Sequence, residues 1–134
     1  MIVDTSVWIE FLRPGRSSAG DHLESLIRRR ERLVVTETVL MELLSSTTDE
    51  TAAARRRRML ESFEIAPLEP VVDSLAAARR QRQCRRSGET VRNLGDCLIA
   101  AVALRLEIPV LHRDRDFETL RTHCGVETVS LLPA

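Results

Sequence analysis

The sequence predicts a three-layer α/β/α sandwich with a mainly parallel central sheet. Three observations predict it. Short apolar runs alternate with longer segments of helical periodicity along the whole length. Those runs lack polar alternation, as expected of strands covered by helices on both faces. No repeat, low-complexity tract or linker breaks the pattern, so residues 1–134 are expected to form one domain.

The elements follow in order. "MIV" at 1–3 reads as a buried strand, and "TSVWIEFL" as a short helix stopped by Pro14-Gly15. Ser17 or Ser18 is placed to cap a helix running to Arg30, with Leu23, Leu26 and Ile27 on one face. "LVV" at 33–35 is the second strand, and "TETVLMELLSS" the third helix. A helix at 50–62 carries Arg55 to Arg58, and "FEIAPL" is strand-like. Pro70 suits the first turn of a long helix that Gly88 ends after Arg86. Asn93 is placed to cap a helix from Leu94 to about Glu107, before the strand "IPVLH". Asp114 or Asp116 starts a last helix that Gly125 ends, and "ETVSL" is the final strand.

Composition excludes several chemistries. Acidic and basic residues balance at 20 each, and every basic residue is arginine. Without lysine there is no P-loop lysine and no Schiff base. Cys84, Cys97 and Cys124 have no CxxC spacing and read as reduced thiols of a cytoplasmic chain. The three histidines show no zinc pattern. The apolar run "CLIAAVAL" is too short to span a bilayer, and no signal peptide is visible, so no membrane association is expected.

The acids carry the argument. Asp4 ends the first strand, and Asp114 follows the strand at 108–112. In open parallel sheets, ligands bind beyond the carboxyl ends of strands, where strand order reverses. Two acids far apart in the chain are thereby expected to meet. Glu42 lies inside the apolar stretch "VLMELL", facing either water or a cleft, and Asp96 lies in a helix's first turn. Each acid also has a plain reading as a cap or a solvated charge. Their conjunction suggests a shared bowl. Two unit charges at ~4 Å repel by about 4 kcal/mol at an effective dielectric of about 20, so four or five carboxylates need cations. An all-oxygen donor set suits Mg²⁺ or Mn²⁺. Such ions activate water and offset charge on a phosphoryl group.

"MIVDTSVWIEFL", "ETVLMELL", "NLGDCLIAAVALRL" and "VLHRDRDFETL", in that order, resemble the PIN-domain ribonucleases. More closely, they resemble the VapC-type toxins of bacterial type II toxin–antitoxin pairs. The resemblance covers nearly the full chain. It implies a PIN-like fold and a Mg²⁺- or Mn²⁺-dependent endoribonuclease. Its acidic site maps onto Asp4, Glu42, Asp96 and Asp114, with Asp116 as a further ligand or orienting group. Ser6 matches the family's hydroxyl beside the first aspartate, and Thr5 occupies the adjacent place. The resemblance also implies a cognate antitoxin that blocks the site, and commonly a homodimer. The surface near Val39, Leu43 and Leu44 and the 50–62 helix are candidate antitoxin docking faces, with a core role as the competing reading.

Arg113, Arg115 and Arg92 lie nearest the acids and are the candidate RNA phosphate contacts. The arginines of "ARRQRQCRR" are either a phosphate track or a solvated face. With Trp8 and three phenylalanines as the only aromatics, a base-stacking platform is not expected. Two other functions stay open at this level. One is a metal-dependent phosphatase, the other a non-catalytic, acid-pocketed partner-binding domain.

Overall fold

The computed structural model describes residues 1–134 throughout. In chain order the elements are β1 (Ile2–Val3), α1 (Thr5–Leu12), α2 (Ser18–Arg28), β2 (Val34–Thr36), α3 (Glu37–Ser45) and α4 (Glu50–Glu61). Then come β3 (Glu64–Ala66), α5 (Val72–Arg86), α6 (Leu94–Leu106), β4 (Val110–His112), α7 (Arg115–Cys124) and β5 (Thr128–Ser130). The sheet order is β3-β2-β1-β4-β5, and every neighbouring pair is parallel. Chain order reverses between β1 and β4. Right-handed crossovers then send the first four helices to one face and the last three to the other. The contacts agree: α1 packs on α2 and α3, and α3 on α4, while α5, α6 and α7 pack on one another. This is the three-layer arrangement expected.

The central strands β1, β2 and β4 are buried at every residue, whereas the edge strands β3 and β5 are partly exposed. Trp8 is wholly buried and meets Phe11 and Phe63 edge-on at 5.8 and 5.3 Å. The core continues through α6, whose Cys97 and Ile99 to Ala103 are buried. A helix apolar on nearly all sides is what a position between α5, α7 and the sheet requires. Cys84 and Cys124 meet across the α5–α7 contact with their sulfurs 3.7 Å apart, and both are free thiols.

Several boundaries differ from the sequence reading, each for a local reason. Ser17 alone caps α2, accepting from the Gly20 N–H at 3.0 Å, and the helix ends at Arg28 because Arg30 turns to φ 55°. The second strand is displaced by one residue, to Val34–Thr36, so Thr36 both closes β2 and caps α3. The stretch 63–68 is strand only over Glu64–Ala66. Pro70 stands before α5, not in its first turn, because Val71 at φ 67° separates them. No side chain caps that helix.

Asp73, 2% exposed, instead organises the entry to α5. It accepts the Glu69 N–H at 2.7 Å and two guanidinium bonds from Arg105 at 3.0 and 2.9 Å. Burial raises its carboxyl, but the Arg105 bonds, the Glu69 N–H and the Arg105 charge together more than offset this and leave it below the usual range.

The proposed docking surface on α3 is corrected in part. Val39 and Leu43 belong to the core, and the exposed apolar residue of that helix is Met41. On α4, Arg56 donates to the Leu43 carbonyl and the Ser46 hydroxyl at 2.8 and 3.0 Å, closing the end of α3.

Candidate active site

The switch point between β1 and β4 gathers acids from both helical layers. Asp4 leaves β1, its N–H donating to the Leu111 carbonyl at 2.9 Å. It also caps α1: Oδ2 accepts the Ser6 N–H at 3.0 Å and the Ser6 hydroxyl. Oδ1 is buried and has no partner. Burial pushes the carboxyl up to about 6; the Ser6 bonds oppose this, and the charges of Asp114 and Glu42 add to it.

Asp96 enters from α6, which Asn93 caps by accepting the Gly95 N–H at 2.8 Å. A Cβ on Gly95 would lie 3.0 Å from Asn93 Oδ1 and 3.4 Å from Thr38 Cγ2. Glycine therefore lets this turn close against its own cap and α3. Asp96 is 3% exposed, and its Oδ2 has no partner. Burial pushes its carboxyl up to about 9, aided by the charges of Asp4, Asp114, Asp116 and Glu42.

Asp114 caps α7, with Oδ1 accepting the Asp116 N–H at 3.0 Å. Asp116, in the first turn, accepts the Arg92 N–H at 3.1 Å. One carboxylate oxygen from each of Asp96, Asp114 and Asp116 falls within a group no wider than 4.8 Å. Asp4 and Glu42 stand outside this tightest group. Glu42 is half-buried and accepts the Thr5 hydroxyl at 3.0 Å, so it faces the cleft wall formed with α1. Of the five acids, the structure thus brings three within one coordination distance and sets two beside them.

Ser6 bridges the two strand ends, since its Oγ also accepts the Arg113 N–H at 2.9 Å. Thr5 has a separate task, fixing Glu42. The Arg113 guanidinium is paired with Glu10 at 3.2 Å, while Arg92 and Arg115 are exposed and make no ion pair. These three arginines line a cleft of about 600 Å³ with Asp114, Asp116 and Asn93. His112, which the sequence reading did not single out, lies wholly buried under Asp114.

The donor set is oxygen only, and two of its carboxylate oxygens are buried without a hydrogen bond. Such atoms require a proton or a cation. Hard divalent ions fit donors of this kind.

The PIN domain family model matches residues 1–122. The chain belongs to the PIN-domain family. Its relatives include the VapC ribonuclease Mb1587 of Mycobacterium bovis, 33% identical over 131 residues, covering 97% of this chain and 98% of the relative. Ribonuclease VapC11 of Mycobacterium tuberculosis matches with the same identity and coverage. Among solved structures, the VapBC-5 toxin–antitoxin member from Mycobacterium tuberculosis aligns with TM-score 0.65 and 29% identity, covering 97% of each chain. FitAcB from Neisseria gonorrhoeae aligns with TM-score 0.72 over 95% of this chain and 94% of its own; at 22% identity it speaks for the fold alone. This PIN chain is thus similar to members of the VapC branch that the motifs suggested. No helix of it is long and apolar enough to cross a membrane.

Proposed function

We propose that this PIN domain, with residues 1–134 acting as one unit, is a Mg²⁺- or Mn²⁺-dependent endoribonuclease. It hydrolyses RNA phosphodiester bonds in the cytoplasm as the toxin of a toxin–antitoxin pair, restrained by a cognate antitoxin protein and assembled as a homodimer. The observation that carries the reading is the pair of orphaned, buried carboxylate oxygens, Asp4 Oδ1 and Asp96 Oδ2, beside the Asp96–Asp114–Asp116 group. Full-length similarity to proteins named VapC ribonucleases supports the RNA substrate. Solved toxin–antitoxin relatives such as VapBC-5 support the antitoxin.

Asp96, Asp114 and Asp116 would hold the cation, with Asp4 at its edge and Glu42 orienting from α3. The ion, when bound, supplies neutralising charge to the phosphoryl oxygens and acidifies water. The residues of the chain do the positioning. Ser6 fixes one Asp4 oxygen and leaves the other buried without a hydrogen-bond partner. Thr5 fixes Glu42. Arg92 and Arg115 offer unpaired guanidiniums for flanking phosphates, with Arg113 shared with Glu10. The acids ligate and orient, and none need serve as a nucleophile.

Cleavage mapping on total RNA tests the proposal, run with Mg²⁺ or Mn²⁺, with a chelator, and beside Asp4→Ala and a generic phosphate ester. Discrete RNA cuts that vanish with chelator and in Asp4→Ala are expected. Turnover of the ester without RNA cleavage would favour a phosphatase. No metal-dependent turnover of either would favour a partner-binding domain.

A further inference from the structure

The tightest acid group depends on where Asp114 points, and the Asp114 N–H has a single tether, while the Asp114 carbonyl accepts the Phe117 N–H at 3.2 Å. That Asp114 N–H finds no backbone acceptor; it donates to His112 Nδ1 at 3.2 Å. Nδ1 accepts only when it carries no proton, which places the ring hydrogen on Nε2. Nε2 faces Glu118 Oε1 at 3.4 Å, and the other Glu118 oxygen accepts from Arg121 Nε at 3.1 Å. The ring lies against Phe117 with centroids 5.2 Å apart and planes tilted by 32°. It is wholly buried. His112 closes β4, Asp114 caps α7, and Glu118 and Phe117 stand in the first turns of the same helix. The imidazole therefore wedges between strand end and helix start, contacting both.

We propose that His112 is a positioning residue of the acidic site. Its Nδ1 sets the orientation of Asp114, and through the Asp114–Asp116 cap bond it sets Asp116 as well. It touches neither substrate nor cation. This inference rests on the proposed metal-dependent reading, for which a group that holds a ligating aspartate in place supports the site. A leucine at this position would keep the volume and remove the acceptor. An asparagine would return an oxygen acceptor near the place of Nδ1.

The test compares wild type, His112→Leu and His112→Asn. Mn²⁺ binding is read by electron paramagnetic resonance, and exchange of the Asp114 amide by NMR on metal-free protein. Removing such a supporting group should weaken Mn²⁺ by about 10–100-fold. His112→Leu should show that loss and faster Asp114 exchange, and His112→Asn should recover most of both. A folded His112→Leu that binds Mn²⁺ like wild type overturns the proposal. If the leucine variant does not fold, the ring ¹⁵N signals of wild-type protein decide: a hydrogen on Nε2 upholds the inference, and one on Nδ1 overturns it. Wild-type protein that binds no Mn²⁺ refutes the metal-dependent reading and, with it, a role for His112 in setting ligands. Amide exchange then still tells whether the tether exists.

Discussion

The Ser6 hydroxyl accepts the Arg113 backbone N–H at 2.9 Å and hands its own hydrogen to Asp4, joining the ends of β1 and β4 across the point where the sheet reverses. One small side chain thus fixes both the first aspartate and the strand end that delivers Asp114.

Ser6→Ala should therefore cost both stability and activity. A hydrogen bond to a buried charged group contributes about 1.5–3 kcal/mol, so a loss of about 1–3 kcal/mol is expected. Denaturant unfolding of the metal-free protein measures it. RNA cleavage should fall with kcat, because the change moves a ligand and not a substrate contact. Ser6→Ala with unchanged kcat would contradict the bridge.

The raised carboxyls predict an inverted pH dependence for the metal-free protein. Both groups start from an ordinary value of 3.8, and the fold lifts Asp4 to about 6 and Asp96 to about 9. Below the ordinary value, both states hold these protons and no penalty exists. Above it the unfolded chain releases them while the folded chain retains them. The contribution of these groups therefore becomes less favourable as pH rises, through about 6 for Asp4 and on to about 9 for Asp96. Melting curves in chelator should fall across that window. Asp96→Asn should flatten its upper part, and saturating Mn²⁺ should restore the midpoint most at high pH.

Asp73 and Arg105 make a control of opposite sign. The pair is structural and lies at the C-terminal end of α6, the end opposite Asp96, so Arg105→Ala should strand a buried carboxylate at a cost of about 3–5 kcal/mol. Calorimetry should record a lower midpoint, whereas the Mn²⁺ affinity of the folded fraction should stay at the wild-type level. Asp96→Asn should do the reverse, keeping the fold and losing cleavage. Equal loss of cleavage in both variants would blur site and scaffold.

Arg92 and Arg115 should carry more of the RNA electrostatics than Arg113, which Glu10 already neutralises. Binding to a catalytically silent Asp96→Asn protein should weaken as salt rises. Arg92→Ala and Arg115→Ala should each weaken it and reduce the salt slope by roughly one phosphate contact. Affinity that stays flat with salt would remove the arginine-lined cleft from the substrate path.

The fold was legible because its signals are local. Apolar runs mark the strands, and Asp4, Ser17, Thr36, Asn93 and Asp114 announce helix starts by type and by position. The acids of the site were legible because strand ends in a parallel sheet share one edge. What stayed hidden depends on tertiary contact. The periodicity of α3 does not reveal that Val39 and Leu43 face the core. Nothing before Val71 announces its φ of 67°, which keeps Pro70 out of α5. His112 reads as a strand residue until burial and the Asp114 N–H are seen together. Arg113 reads as free until Glu10 arrives from α1.

Anomalous diffraction from crystals soaked in Mn²⁺ asks the central question without reference to any RNA. A peak bound by carboxylate oxygens of Asp96, Asp114 and Asp116, at the short distances hard cations take from oxygen, is the predicted result. Protein that cleaves RNA with Mn²⁺ yet shows no manganese at this place, or shows it bound elsewhere, would contradict the account.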